Sequence, residues 1–106
     1  MLAAYNHLRE SLPRFSSWAW LERNPETVSI ATPGVAVRSA ADLEAGNEDI
    51  DVLILCGGSA TDLPEQTPKY AALYNVVDSF DTHAKIPTHF ANVDEAAKGA
   101  GKTALI

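Results

Sequence analysis

Two short stretches of this chain carry residue types whose spacing suits chemistry on a bound small molecule. In Asp78-Ser79-Phe80-Asp81-Thr82-His83, two carboxylates and an imidazole fall within six residues. Such a set can hold an ammonium group or relay a proton. Strand alternation places Asp78 toward the strand interior and Asp81 beyond its end, which makes Asp81 the better candidate; the plain alternative gives both acids to turn or helix capping. In the second stretch, Cys56-Gly57-Gly58-Ser59-Ala60-Thr61, small residues follow an apolar run. Backbone N–H groups can approach a cofactor closely there, and the plain alternative is a simple turn.

Other reactive groups are less well placed. His83 and His89 are six residues apart, which matches neither a helical i, i+4 pair nor a cysteine-containing finger, so no metal is expected. Ser59 lacks a Gly-x-Ser-x-Gly elbow. Cys56 has no basic neighbour in sequence to favour its thiolate, so neither is expected to act as a nucleophile.

The elements that must position these residues follow from hydrophobic pattern. Ile50 to Cys56 is a short apolar run ended by Gly57-Gly58, as expected of a strand buried on both faces of a parallel sheet. A helix then starts either at an Asp62 cap with Glu65 three residues on, or at Thr67 with Pro68 in the first helical position. The second start is preferred, because Pro68 inside a helix loses its bond to the carbonyl of Pro64. That helix runs through Tyr70, Leu73 and Tyr74 to about Asn75, and Val76 to Phe80 reads as the next strand. From Ile86-Pro87 a second helix is expected, with Phe90, Val93 and Ala97 on its apolar face. Gly99 and Gly101 stop it, and Lys102 to Ile106 begins another strand. This β-α-β-α-β repeat gives an α/β fold, a partial Rossmann-like doubly wound parallel sheet with right-handed crossovers.

Upstream the pattern is looser. Trp18 to Leu21 reads as a strand, Pro33-Gly34 as a turn, Val35 to Val37 as a short strand, and Ala40 to Gly46 as a weak helix or loop. Residues 1–12 read as a helix through Leu2, Tyr5, Leu8 and Leu12, stopped by Pro13.

Composition limits what such a domain can do. With 106 residues, 46% hydrophobic and 21% charged, the chain fits a single core. Eight basic residues against fourteen acidic ones give a net charge of −6, and no Lys/Arg cluster offers the phosphate-neutralising stripe of a nucleic-acid binder. The apolar run from Val52 to Cys56 is far shorter than the roughly 20 residues that span a bilayer, so no membrane partner is expected. The lone Cys56 accords with a cytoplasmic location.

Against this background, Asp51 to Gln66, Asn75 to His83, Ile86-Pro87, Asp94 to Ala97 and Gly101 to Ile106 closely resemble the meso-diaminopimelate dehydrogenases in order and spacing. Arg23 to Val28 and Thr32 to Val35 resemble the stretch after that family's second strand. The resemblance covers roughly residues 20–106, which divides the chain into an unmatched segment 1–17 and a partial dinucleotide-binding domain 18–106.

The resemblance implies an NADP-dependent amino-acid dehydrogenase of lysine and cell-wall precursor metabolism. It would oxidise the D-centre of meso-2,6-diaminopimelate to L-2-amino-6-oxopimelate, and its parent family is homodimeric. It also implies that Cys56, Gly57, Gly58, Ser59, Ala60, Thr61 and Asp62 contact the dinucleotide, with His83, Ala84 and Lys85 nearby. Asp81 would meet the substrate's ammonium, and no residue here is assigned a catalytic proton transfer. Where the family has a hydroxyl residue and two arginines around the 2′-phosphate, this chain has Leu21-Glu22-Arg23, so only Arg23 is carried over and Glu22 would repel that phosphate.

The family's first strand and its Gly-x-Gly-x-x-Gly turn have no counterpart here, nor does its substrate domain. The chain is therefore expected to be partial and inactive alone. The competing expectation is a non-catalytic nucleotide-binding or interaction domain of Rossmann or flavodoxin-like fold. A receiver would need an acidic pair ending its first strand and a lysine ending its last, and neither is evident.

Overall fold

A computed structural model of the protein describes residues 2–6, 17–22, 37–46 and 50–106. Six strands form one mixed sheet: β1 (Leu2–Asn6), β2 (Ser17–Glu22), β3 (Val37–Ser39), β4 (Val52–Leu55), β5 (Val76–Asp78) and β6 (Ala104–Leu105), in spatial order β3-β2-β1-β4-β5-β6. Helix α1 (Leu63–Ala71) joins β4 to β5, and α2 (Ile86–Ala100) joins β5 to β6. These three strands pair in parallel, with Leu53 beside Val76 and Val76 beside Ala104, as the β-α-β-α-β pattern predicts. Strand β2 and the end of the Val35–Val37 run also form as expected, and they pair in parallel through Glu22 and Ser39.

The N-terminal segment departs from expectation. Residues 2–6 are a strand and not a helix, and that strand occupies the middle of the sheet, antiparallel to both β2 and β4. The short run Leu2 to Tyr5 fits either periodicity. Pairing on both edges satisfies its backbone groups, which outweighs a local helical preference. Leu8, Leu12 and Pro13, the rest of that expected helix, lie outside the described residues.

Both helices pack on the sheet face that carries Leu53, Leu55 and Val76, where Leu43, Leu63, Ala71 and Val93 complete a core of fully buried side chains. Strand β4 is therefore not buried on both faces, since Ile54 on the other side is 39% exposed. The second helix also turns differently from expectation. His89, Val93 and Ala97 are buried, while Phe90 is 57% exposed. Asp78 at the end of β5 explains the choice, because its carboxylate takes the imidazole of His89 as a partner inside the core.

Helix α1 begins at Leu63, so Pro68 lies inside it and the later start is corrected. Pro64 at the second helical position costs nothing, because an N–H there has no helical acceptor. The early start is held by the preceding turn, where the amides of Asp62 and Leu63 both donate to Gly58 O at 2.9 and 3.1 Å. The helix also ends earlier than Asn75, at Ala71, after which Tyr74 donates its hydroxyl to Leu43 O at 2.9 Å. Residues 40–43 form a short 3₁₀ helix capped by Ser39. Among the described residues, no helix is long and apolar enough to cross a membrane.

Candidate functional site

The parallel strands β4 and β5 are clamped at both ends by side chains. At their start, Asn75 donates to Asp51 O at 3.1 Å and accepts the Thr103 amide at 3.0 Å. At their carboxyl ends, Ser79 Oγ donates to Leu55 O at 3.1 Å. The loops that leave these ends are thereby held side by side, at the edge where open α/β sheets bind ligands. One loop is the turn from Cys56 to Asp62, and the other runs from Ser79 to Lys85.

The turn is shaped by close packing against α1. A Cβ at Gly57 would stand 2.9 Å from Asp62 Cβ, so only glycine fits without displacement. Asp62 does not cap the helix with its side chain. Its Oδ2 reaches back to accept the Gly58 amide at 3.2 Å, which closes the turn. The amides of Ser59, Ala60 and Thr61 then donate to no acceptor among the described residues. Three N–H groups ahead of a helix start, beside a glycine where no side chain fits, suit the oxygen-rich edge of a dinucleotide. Cys56 is exposed and at the start of this turn.

Asp81 lies against this turn. Ser59 Oγ donates to Asp81 Oδ1 at 2.6 Å, and the Asp81 amide donates back to Ser59 Oγ at 2.7 Å. The two stretches singled out in the sequence thus meet through a reciprocal pair of hydrogen bonds, while Asp81 itself stays exposed. Asp78 takes no part in this edge. It is buried, with Oδ1 accepting the Phe80 amide at 3.2 Å and Oδ2 paired with His89 Nε2 at 2.6 Å. The first of these bonds turns the chain out of the sheet, which is why β5 ends at Asp78 and not at Phe80. Phe80 stacks on the His89 ring, with centroids 4.0 Å apart.

His83, Ala84 and Lys85 form one exposed turn of 3₁₀ helix. Lys85 borders a cleft of about 280 Å³ together with Pro64, Phe80 and Thr88, between the N-terminal ends of the two helices. A second cleft, of about 330 Å³, opens on the other side of α1 between Thr61, Gln66, Tyr70 and Ser39. It is bordered by Glu44, Asp62 and Glu65, and by Lys69, whose ammonium is held above its ordinary value chiefly by its hydrogen bond to Glu44. Glu22 ends β2 beside Ser39, at the same edge as this cleft. Arg23 lies outside the described residues.

Two features escape sequence reading. The Ser59–Asp81 tie spans 22 positions and has no local signal. The burial of His89 had one, because Ile86, His89, Val93 and Ala97 form a helical row as regular as the one through Phe90. Among the described residues, no three His, Cys, Asp or Glu side chains stand together as a metal site.

No protein-family model matches the chain. It is 56% identical over 84 residues to a meso-diaminopimelate D-dehydrogenase of Lysinibacillus sphaericus, covering 79% of this chain and 26% of that protein. The corresponding enzyme of Ureibacillus thermosphaericus is 51% identical over 84 residues, again 79% and 26%. Among solved structures, a meso-diaminopimelate dehydrogenase variant with DAP from Clostridium tetani E88 matches with a TM-score of 0.69 and 43% identity, covering 83% of this chain and 27% of that one. An engineered D-amino acid dehydrogenase bound to NADP+ matches with a TM-score of 0.64 and 43% identity over 73% of this chain and 24% of that one. The chain is thus homologous to these dehydrogenases over most of its length, and it spans about a quarter of theirs.

Proposed function

We propose that this chain, as a homologue of a quarter-length segment of the meso-diaminopimelate dehydrogenases, is the part of their dinucleotide-binding domain that brings cofactor and substrate together. Residues 18–106 form that part. The observation that carries the reading is the junction of the 56–62 turn with Asp81 at the carboxyl edge of β4 and β5. The solved relatives support the ligands, one being bound to NADP+ and others solved with DAP.

The turn's roles divide by atom. The amides of Ser59, Ala60 and Thr61 hold the dinucleotide, and Gly57 keeps the backbone close to helix α1 so that they point outward. Cys56, Gly58 and Asp62 complete that surface. His83, Ala84 and Lys85 flank it, and Arg23 holds the 2′-phosphate. Asp81 accepts the ammonium of the substrate's D-centre through the oxygen that Ser59 does not engage, which fixes the carbon before hydride leaves it. NADP supplies the hydride acceptor. The oxidised centre is an imine that water converts to L-2-amino-6-oxopimelate and ammonia. The acids around the larger cleft, with Glu22 at the end of β2, weaken any preference for the 2′-phosphate. The reaction takes place in the cytoplasm and in a homodimer.

To test the reading, the matched residues of the Lysinibacillus sphaericus enzyme are replaced by those of this chain and NADP+ reduction is assayed. The expected result is activity with meso-diaminopimelate. Activity with only L-lysine or D-alanine would overturn the substrate assignment. In the same protein, Glu22→Arg is expected to raise the ratio of NADPH to NADH use, and an unchanged ratio would show that residue 22 does not face the phosphate.

One observation favours a second reading, a non-catalytic nucleotide-binding module: β1 fills the middle of the sheet from within this chain. Titration of the 106-residue chain with NADPH separates the two. Tight binding without a glycine-rich pyrophosphate turn favours the module, and weak but saturable binding through the 57–62 turn favours the dehydrogenase segment.

A further inference from the structure

The hydroxyl of Ser59 has one proton to donate and two lone pairs to accept with. Its proton goes to Asp81 Oδ1 at 2.6 Å, within the short range of charge-assisted O–H···O⁻ bonds, and one lone pair takes the Asp81 amide at 2.7 Å. Nothing is left on this side chain to donate to a phosphate. Its backbone amide, in contrast, has no acceptor among the described residues and lies in the turn proposed above to hold the dinucleotide. Ser59 therefore presents its backbone to one ligand and its side chain to the carboxylate that meets the other.

We propose that Ser59 is a positioning residue that couples the two halves of the site, so that occupancy of the 57–62 turn by the dinucleotide is felt at Asp81. The inference rests on the cofactor reading above and adds to it. The clasp leaves Asp81 Oδ2 without a partner among the described residues, so the carboxylate offers a single oriented oxygen to an ammonium group. It also removes the carboxylate's freedom to swing away. Any shift of the turn on binding NADP+ moves the hydroxyl, and with it the Asp81 amide and carboxyl together.

The test uses the full 106-residue chain labelled with ¹⁵N and titrated with NADP+. The amides of Gly58 to Thr61 and of Asp81 are expected to shift together along one binding curve. In Ser59→Ala the turn amides still respond, while the Asp81 response falls at least roughly twofold, and Ser59→Thr restores it. A merely structural hydroxyl would alter the starting spectrum without separating the two responses. Should Ser59→Ala not fold, Ser59→Cys, with the same shape and a weak donor, makes the same comparison. An Asp81 response that is undiminished in Ser59→Ala or Ser59→Cys overturns the coupling and leaves the cofactor reading standing. Turn amides that stay still in the folded wild-type chain overturn the cofactor reading and the coupling with it.

Discussion

Among the described residues, Asp78 and His89 are the one acid–base pair that is wholly inside the core, and their energetics differ from those of the surface pairs. The imidazole and carboxylate are 4% and 0% exposed and 2.6 Å apart. His89→Ala strands the carboxylate with only the Phe80 amide, which is expected to cost about 3–5 kcal/mol. Replacing both residues by leucine should cost far less, and urea unfolding of the three proteins checks the ordering. The exposed Lys69–Glu44 pair is a contrast, with side chains 45% and 55% exposed. Lys69→Met should change stability by less than about 1 kcal/mol after solvent screening. Because the ammonium's folded pKa is raised above 10.5, that small contribution is intact at neutral pH and is lost only as pH rises through the folded value. At this scale the sequence showed Asp81 and the glycine turn, because their residue types and their place after strands are local facts. It did not show that Ser59 joins them, since that depends on the lateral distance between two strands.

Among the elements, α1 shows most plainly how a tertiary frame overrides a local rule. Pro68 removes one helical bond, yet the turn at Gly58 and the packing of Leu63, Thr67, Tyr70 and Ala71 hold the helix across it. Pro68→Ala should restore the bond to Pro64 O and stabilise the chain by about 1–2 kcal/mol. That estimate allows for the roughly 0.4–1 kcal/mol gained by the unfolded chain. A Tm that falls on this substitution would mean the proline ring itself packs productively. The end of α2 was legible for a simple reason. Gly101 has φ 66° and open space where a side chain would stand, so Gly101→Ala should cost about 1 kcal/mol through backbone strain alone. The strands β4 to β6 were legible too, because short β-branched runs between helices admit few arrangements. The one-sided burial of β4 was not, since the same run serves a strand covered on either one or two faces.

For the molecule as a whole, β1 is the decisive element. The entry of residues 2–6 into the sheet was not legible in the sequence, because five residues of mixed period carry too little pattern to choose between helix and strand. Their placement depends on the pairing edges offered by β2 and β4. Ala4 sits opposite Ala19 on one side and Leu53 on the other. Ala4→Pro should therefore break the ladder at its centre and cost about 3 kcal/mol or more, seen as a loss of cooperative unfolding. The proposed functional edge lies at the carboxyl ends of β4 and β5, where cofactor and substrate would meet on two adjoining loops. The most direct test is Asp81→Asn in the Lysinibacillus sphaericus enzyme carrying this segment. The KM for meso-diaminopimelate should rise roughly 10- to 100-fold, as for the loss of a hydrogen bond to a charged group, while the KM for NADP+ stays unchanged. An unchanged KM for meso-diaminopimelate, or a rise confined to NADP+, would contradict the assignment of this edge.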